Sequence, residues 1–409
     1  MEKNDFKVYR YRWVVLLAFM FIIVMNQLLW ITFASITGDA ASYYKVSDLS
    51  IGILSLSFMI VYIFVSIPAS WVIDTYGIHV GVGIGATLTG IFGLMRGVFS
   101  ANYNLVLISQ IGIAVGQPFI LNAFTTVAAR WFPIRERATA AGLGSLAAYL
   151  GIIIGLVLTP YITTRSGINH MLLSYGIVSM IAAIIFLGLA REHPPTPPCR
   201  SDQVERSLVL DGLRHIIRQR NFIFLMFIFF VGLGVFNAVT TWIDDILRSR
   251  QFSAVQVGIV GGLMVVGGVI GAIVMPPLSD HYRRRVPFMI LALAGAIPGL
   301  VGITFATSYW ALLVSAFILG FFILSAGPVG FQYGAEIAYP APEGTSNGLL
   351  LMIGQISGIA FIFGMDKFRS PGTGAMTPSL IVLIWLVALS LLICTRFRES
   401  KLLTENSSR

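Results

Sequence analysis

The sequence predicts an all-α membrane protein with twelve transmembrane helices in two pseudo-symmetric six-helix bundles. Three observations predict this fold class. First, 56% of the 409 residues are hydrophobic and only 11% are charged, whereas a soluble domain carries about a quarter charged residues. Second, twelve apolar stretches are long enough to cross a hydrocarbon layer of ~30 Å as helices. Third, two local patterns recur in both halves at nearly one spacing, which is typical of a duplicated six-helix unit.

The predicted spans form two sets of six. The first set comprises residues 13–37, 50–72, 79–99, 105–130, 138–160 and 170–190, and the second comprises residues 221–243, 254–278, 286–306, 309–335, 345–365 and 377–395. They define an N-terminal bundle, a cytoplasmic linker and a C-terminal bundle at residues 1–192, 193–220 and 221–409. The linker begins with prolines and then carries apolar and arginine side chains at helical spacing. This pattern predicts an amphipathic helix on the inner membrane surface.

Two patterns of the first half recur in the second half. Asp74 closes the second span, and Asp280 closes the matching span 206 residues later. Glu136 and Glu343 are 207 residues apart, and each follows a proline by three residues. Two independent matches at nearly one offset indicate duplication better than either match alone.

Lysine and arginine residues concentrate at the span ends that share a side with both chain termini. The positive-inside rule therefore predicts a protein of the cell membrane with both termini in the cytoplasm. This arrangement explains the net charge of +9 without a nucleic-acid partner. The first span is too long for a signal-peptide core and lacks a cleavage-like end, so we expect it to be retained. Cys199 and Cys394 predict neither a disulfide framework nor a metal site.

One stripe of the first span is polar or aromatic. Asn26, Trp30, Phe33 and Thr37 recur there at helical spacing. A polar stripe that faces lipid is costly, so we expect this one to face a protein-lined cavity, which we interpret as a transport pathway.

Ionisable side chains are missing from the centres of spans one, four, five, seven, ten and eleven. A proton-coupled carrier usually needs a titratable group in its pathway, and an anion carrier usually needs a buried cation. Backbone dipoles at broken helices could still hold an anion. The pattern therefore favours a small organic cation over an anion.

These span centres carry amides and rings instead of charges. Trp30 and Trp385 lie away from span ends, whereas the other five tryptophans fit interfacial belts. An ammonium group over an indole face gains ~0.5–2 kcal/mol, and amides can orient the rest of such a ligand. The accompanying polar side chains are Gln117, Asn237, Tyr333 and Gln355.

The loops that follow Asp74 and Asp280 resemble the signature of the major facilitator superfamily, Gly-x-x-x-Asp-Arg/Lys-x-Gly-Arg-Arg/Lys. Ser70 stands where the signature has its first glycine, and Thr75 stands where it has its first basic residue. The resemblance implies that these loops latch the cytoplasmic faces of the two halves, although plain helix-end charges are the alternative. We therefore expect gating roles for Asp74, Asp280, Glu136 and Glu343.

A narrower resemblance lies at the junction of spans ten and eleven. Residues 330–350 read GFQYGAEIAYPAPEGTSNGLL, and they accompany Asn26-Gln-Leu-Leu-Trp30 and Gly116-Gln117-Pro. These segments resemble the feline leukaemia virus subgroup C receptor family. That family comprises facilitative carriers of choline and ethanolamine, and haem export has also been proposed for it.

The resemblance implies substrate contacts at Trp30, Met59, Gln117 and Gln355. The family's site tyrosine on helix seven falls on Asn237. Because this departure removes one aromatic wall, it would suit a smaller or more polar amine than choline.

Each candidate also has a structural alternative. A mid-membrane tryptophan can pack between helices, a methionine fills gaps anywhere, and the two glutamines could be interhelical hydrogen-bonding groups. Asn26 and Tyr333 are further substrate-binding candidates, for which helix packing is the alternative.

The predicted function is a secondary transporter that moves a choline- or ethanolamine-like amine by alternating access, as a uniporter. We expect a monomer in the lipid bilayer that takes a small-molecule substrate and has no cofactor, no metal and no enzymatic activity. The alternative is an organic-anion (monocarboxylate-like) or haem carrier of the same fold that uses Arg96 and helix dipoles. An intramembrane enzyme lacks support, since no paired His-Glu motif or Ser–His couple lies at pathway depth. A receptor that binds its ligand without transporting it is a further alternative.

Overall fold

The computed structural model describes residues 8–196, 219–248, 250–282, 284–338, 343–370, 374–397 and 399, apart from a few side chains inside helices. Within these residues the chain forms fourteen helices. The first seven are α1 Arg12–Ile31, α2 Thr37–Tyr44, α3 Asp48–Tyr76, α4 Ile78–Val98, α5 Tyr103–Leu121, α6 Phe124–Trp131 and α7 Ile134–Leu189. The other seven are α8 Arg220–Thr241, α9 Ile243–Arg248, α10 Ala254–His281, α11 Val286–Phe305, α12 Tyr309–Ala338, α13 Glu343–Lys367 and α14 Thr377–Cys394.

Eleven helices of the described part are long and apolar enough to cross a membrane. The longest of them, α7, holds two of the predicted spans. Gly167 interrupts its helical backbone with φ of 81° and ψ of 166°, a conformation that glycine adopts more easily than other residues. The predicted all-α fold with twelve spans is therefore confirmed.

The chain divides into two compact units, Met1–Glu205 (unit 1) and Arg206–Arg409 (unit 2). The division falls within the stretch predicted as a linker. The predicted amphipathic helix covers residues 204–217, which lie outside the described residues. The exact extent of the linker stays a prediction.

Unit 1 is held together by close packing of apolar helices. α1 packs along α7, and α4 packs against both α5 and α7. Small residues let α4 and α7 approach, since a Cβ atom added at Gly176 would lie 2.6 Å from the carbonyl oxygen of Gly93. Such contacts are how helices associate in lipid, where hydrophobic burial between helices contributes little.

Unit 2 follows the same packing principle. α10 packs along α12, α11 lies against α12 and α14, and α8 lies against α13 and α14. A Cβ atom added at Gly271 would lie 2.0 Å from the carbonyl oxygen of Phe321. The α10–α12 contact therefore depends on this glycine.

The first span of each unit is broken near one end. α1 ends at Ile31, and α2 begins at Thr37 after a turn, although the sequence predicted one span to Thr37. α8 ends at Thr241, and α9 begins at Ile243. Broken helices free backbone groups, which must find partners inside the protein.

Two of the tryptophans that were predicted in interfacial belts are buried instead. Trp131 and Trp242 are 3% and 0% exposed, so the belt prediction was wrong for them. Their indole N–H groups donate to the carbonyl oxygens of Arg191 and Ile362, each at 3.1 Å. A buried indole needs such a partner, and these bonds anchor helix ends within each unit.

Candidate functional site

Trp30 is fixed by two hydrogen bonds between α1 and α3, each from a side chain to a backbone carbonyl oxygen. Its indole Nε1 donates to the carbonyl oxygen of Ser55 at 3.3 Å, and the Ser55 hydroxyl donates to the Trp30 carbonyl oxygen at 3.4 Å. The side chain is 8% exposed. Met59 lies one helical turn after Ser55 on α3 and is 2% exposed. α3 therefore carries Met59 on the face that holds Trp30.

A buried guanidinium holds the broken end of α1. Arg96, on α4, is 0% exposed, and its Nη1 donates to the Leu29 carbonyl oxygen at 3.0 Å and to Gln110 Oε1 at 2.7 Å. Its Nη2 donates to Thr32 Oγ1 at 3.3 Å, and its guanidinium lies 5.6 Å from the ring centroid of Phe33. These contacts place the positive charge against the negative end of the α1 dipole.

Gln110 completes this clamp. Its Nε2 donates to the same Leu29 carbonyl oxygen at 3.1 Å. Because Leu29 immediately precedes Trp30, the clamp of Arg96 and Gln110 fixes the backbone that carries the indole.

Gln117 and Gln355 behave differently from Gln110. Gln117 is 6% exposed and Gln355 is half-buried. Within the described part of the chain, neither carboxamide makes a hydrogen bond to the protein. The interpretation of these two glutamines as interhelical hydrogen-bonding groups therefore loses support, while Gln110 has that role.

Asn237 and Gln355 come from adjacent helices of unit 2. Asn237 Nδ2, on α8, donates to the carbonyl oxygen of Gly354 at 3.5 Å, and Gly354 directly precedes Gln355 on α13. Tyr333 is 0% exposed, and its ring stacks on Phe397 with centroids 5.4 Å apart. Asn237 thus lies beside the backbone that carries Gln355, whereas Tyr333 packs inside the unit.

The polar stripe of α1 is packed within unit 1. Asn26 is 0% exposed, and its Nδ2 donates to Thr89 Oγ1 at 3.1 Å. Thr37 is 2% exposed and donates to the Phe33 carbonyl oxygen at 3.2 Å. Asn26 Oδ1 is buried and has no hydrogen-bond partner among the described residues. Helix packing therefore explains the burial of most side chains in this stripe. Asn26 stays a substrate-binding candidate only because its Oδ1 is free to accept a hydrogen bond from a ligand.

Acidic groups beside the break between α8 and α9 are held in ion pairs. Arg248 lies 3.0 Å from Asp244 and 2.7 Å from Asp245, and Arg369 lies 2.6 Å from Asp245 and 2.8 Å from Asp366. These three carboxylates therefore all form ion pairs with arginines of unit 2.

A carboxylate caps the third span of unit 1. Glu192 lies three residues after the end of α7. Its two carboxylate oxygens accept hydrogen bonds from the backbone N–H groups of Ile78 and His79 at 3.1 and 2.8 Å. Arg130 forms an ion pair with the same carboxylate. A negative group at a helix N-terminus satisfies N–H groups that have no partner within the helix.

Unit 2 repeats this cap. Glu399 accepts hydrogen bonds from the backbone N–H groups of Arg285 and Val286 at 3.0 and 3.1 Å. Arg285 also pairs with Asp280 and, at 3.2 Å, with Glu336. Burial lowers the pKa of Arg285, but bonding to Asp280 and the charge of Glu336 outweigh burial, so the net pKa is raised. The guanidinium therefore stays charged.

The sequence analysis missed both capping glutamates. Glu192 and Glu399 are 207 residues apart, which is the offset of the Glu136 and Glu343 match, and both follow an arginine. A search for further matches at that offset would have found them. The sequence analysis placed Glu192 at the end of the N-terminal bundle and predicted no role for it.

Of the four predicted gating residues, two have described side chains. Glu136 forms an ion pair with Arg12 at 3.1 Å within unit 1, and Asp280 pairs with Arg285 within unit 2. The side chains of Asp74 and Glu343 lie outside the described part of the structure. The gating roles of all four stay predictions.

The capping glutamates lead to a stability prediction. Glu192→Ala should lower the free energy of unfolding by ~1–3 kcal/mol, because two partly buried N–H groups lose a charged acceptor. Glu399→Ala should act similarly through unit 2. Glu192→Gln, which keeps one acceptor oxygen, should cost less. Thermal unfolding of the purified protein measures these differences, and unchanged midpoints in both alanine variants would contradict the capping role.

Two units of apolar helices long enough to cross a membrane, each with a broken first span, are the architecture of a membrane carrier. The Major Facilitator Superfamily model matches residues 15–362, and the chain belongs to that family. It is therefore a multi-pass membrane transporter and not an enzyme.

Curated relatives support this assignment. The chain is 31% identical over 389 residues to Solute carrier family 49 member A3 of Xenopus tropicalis, covering 90% of this chain and 80% of the relative. It is 27% identical over 381 residues to the choline/ethanolamine transporter FLVCR2 of Homo sapiens, covering 88% and 72%. At this level of sequence identity, the predicted resemblance to the feline leukaemia virus subgroup C receptor family is confirmed.

A solved structure has the same fold. A bacterial homologue of the human lysosomal transporter Spinster matches with a TM-score of 0.75 at 15% identity, covering 95% of this chain and 97% of the other.

Proposed function

We propose that this transporter is a uniporter for a small organic cation of the choline or ethanolamine type. One observation carries the proposal: unit 1 holds a fixed indole at Trp30 and a carboxamide at Gln117 that makes no hydrogen bond to the protein in the described residues. We assign the ring face of Trp30 to the ligand, since its N–H group is already bonded to the Ser55 carbonyl oxygen. An ammonium over such a face is attracted by the ring quadrupole, and amide oxygens accept from the remaining polar hydrogens of the ligand.

The clamp at the end of α1 weighs against an anionic substrate. Arg96 was the cation that an anion or haem carrier would use. Its guanidinium is fully buried and directed at the Leu29 carbonyl, Gln110 and Thr32. An anion would have to displace contacts that hold the helix end, so no observation favours the anion alternative.

The ion pairs of unit 2 support transport without proton coupling. Asp244, Asp245 and Asp366 are each paired with an arginine at 3.0 Å or less. A proton-coupled carrier needs a group that binds and releases the proton during the cycle. The proposed uniporter needs only the substrate gradient and the membrane potential, worth ~2.3 kcal/mol per charge per 100 mV.

The names of distant relatives agree with this substrate class. Relatives at 26–28% identity are named choline/ethanolamine transporters. Asn237 adds a carboxamide where the resemblance implies a tyrosine. A more polar wall of this kind favours ethanolamine over choline, because the ethanolamine ammonium can donate hydrogen bonds and the quaternary group cannot.

We assign the proposed contacts by chemistry. Trp30 supplies the ring face, Gln117 and Gln355 supply acceptors, Met59 contributes a polarizable surface and Asn237 contributes a further amide. Asn26 and Tyr333 are secondary candidates, because Asn26 donates a hydrogen bond to Thr89 and the Tyr333 ring stacks on Phe397, each within its own unit. We further propose a monomer in the cell membrane with both termini in the cytoplasm, following the distribution of basic residues.

The glutamines provide a matched comparison. Gln117→Ala and Gln355→Ala should each raise the KM for substrate about tenfold with little effect on the unfolding temperature, since neither has a protein partner to lose. Gln110→Ala should instead lower the unfolding temperature, because the Leu29 carbonyl loses a donor and Arg96 loses an acceptor. Uptake kinetics and thermal unfolding of the three variants measure both quantities. A stability loss in Gln117→Ala without a change in KM would contradict its role as a ligand.

Uptake into proteoliposomes tests the uniport mechanism. Labelled ethanolamine and choline should enter at rates that do not change when a pH gradient is imposed at constant membrane potential. Accumulation driven by the pH gradient would overturn uniport.

A further inference from the structure

Gln27 is a buried carboxamide on α1 that no motif or family resemblance singled out. The residue is 4% exposed, and its side chain makes no hydrogen bond to the protein in the described residues. The neighbouring Asn26 Oδ1 is fully enclosed, whereas the Gln27 amide is not and therefore borders open space. Burying an amide without a partner is costly. Such a side chain is expected where a ligand or a water molecule supplies the missing hydrogen bonds.

The position of Gln27 is the sector of α1 between α3 and α7. Gln27 precedes Trp30 by three residues, so the two side chains leave the helix about 60° apart in direction and about 4.5 Å apart along its axis. Trp30 is bonded to Ser55 of α3. A Cβ atom added at Gly151 of α7 would lie 2.9 Å from Gln27 Cβ. α7 therefore packs on the stem of Gln27, while the amide borders the open space one turn from the indole.

A carboxamide beside an aromatic face distinguishes a primary ammonium from a quaternary one. An indole face attracts both kinds of cation. The glutamine oxygen accepts hydrogen bonds, and its NH₂ group donates them. The ethanolamine ammonium has N–H groups to donate, whereas the choline nitrogen carries only carbon substituents. An acceptor at this place therefore stabilises bound ethanolamine more than bound choline.

We propose that Gln27 is a substrate contact that sets the preference for a primary amine. With the ammonium over the Trp30 ring, Gln27 Oε1 accepts a hydrogen bond from one of its N–H groups. This inference rests on the proposed transport of a choline- or ethanolamine-like amine, and it names the side chain of unit 1 that selects between the two. α1 then supplies both the ring face and the oxygen that recognises the ammonium.

Uptake kinetics of Gln27→Met in proteoliposomes test this proposal. Methionine keeps the length and the apolar stem of the side chain but has no amide. The KM for ethanolamine should rise about tenfold, because a hydrogen bond to a charged group is lost, and the KM for choline should rise less than about threefold. Gln27→Glu, which keeps an acceptor oxygen, should retain the preference for ethanolamine.

A control variant and the wild-type protein separate the possible outcomes. Gln256→Ala removes a glutamine that caps α10 in unit 2, and it should leave both KM values unchanged. No change in either KM value in Gln27→Met, or an equal rise in both, would overturn the role of Gln27 while leaving the proposed function intact. If the wild-type protein takes up neither amine, the proposed function fails, and this inference fails with it.

A cysteine at position 27 provides a second measurement that does not depend on transport rates. Gln27→Cys is made in a chain in which Cys199 and Cys394 are replaced by alanine. A methanethiosulfonate that carries a trimethylammonium group should modify it, and saturating ethanolamine should block the modification. Leu28→Cys is the matched control and should not react, because Leu28 is 3% exposed and its backbone packs against Gly155 of α7. No modification at position 27, or modification that ethanolamine leaves unchanged, would contradict the contact.

Discussion

Trp30→Ala should abolish saturable uptake of labelled ethanolamine and choline. The indole is the aromatic face that the proposed site offers in unit 1, and its removal deletes a cation–π contact of ~0.5–2 kcal/mol together with buried apolar contact. The combined loss should weaken substrate affinity by about 10- to 100-fold. Trp30→Phe, which keeps a weaker π face, should retain intermediate affinity.

Trp385→Ala is the matched control for this experiment. Trp385 also lies in the middle of a span, on α14, but it is 72% exposed on the surface of unit 2. Its removal should leave uptake unchanged. Binding affinity measured by isothermal calorimetry, alongside thermal unfolding, separates substrate contact from folding. A folded Trp30→Ala protein with wild-type affinity would remove Trp30 from the site.

Arg96→Leu should give the largest loss of stability. The substitution removes three hydrogen bonds and leaves Gln110 Oε1 and Thr32 Oγ1 without their charged donor in a buried setting. Lost hydrogen bonds to a charged group contribute about 1.5–3 kcal/mol each, partly offset because an arginine no longer has to be buried. We expect a net loss of ~3 kcal/mol, measured by thermal unfolding.

The same variant distinguishes positioning from ligand binding. Arg96→Lys keeps a charge that can reach the Leu29 carbonyl, so it should recover part of the stability and part of the maximal uptake rate. Substrate KM should change less than the maximal rate, because Arg96 touches the backbone of α1. If Arg96→Leu folds with wild-type stability but transports no substrate of either charge, the clamp is not its function.

The fold was predictable because hydropathy and duplication are properties of the chain itself. Apolar stretches of fixed length have few alternatives in a bilayer. The Asp74 and Asp280 match predicted two units from the sequence alone. The breaks after Ile31 and Thr241 were not predictable in this way, since neither break contains a glycine or a proline. They depend on partners from other helices, such as Arg96 for the Leu29 carbonyl.

The candidate site was predictable only in its residue types. The sequence does not distinguish a glutamine that holds two helices together from one that can bind a ligand. Only the hydrogen-bond partners of each side chain distinguish these two roles. Gln110 and Gln117 lie seven residues apart on α5, yet Gln110 holds α1 while Gln117 makes no protein hydrogen bond in the described residues. Asn26 was expected to face a cavity but donates to Thr89 inside unit 1. Tertiary contacts, rather than local pattern, decided each role.

The charge of the transported substrate is the central claim, and its direct test is uptake under an imposed membrane potential. Proteoliposomes that contain the purified protein are given an inside-negative or inside-positive potential at equal pH on both sides. The proposal predicts that labelled ethanolamine and choline enter faster under the inside-negative potential and that carboxylates and porphyrins do not enter. Uptake of an anion that is stimulated by the inside-positive potential, and lost in Arg96→Leu, would contradict it.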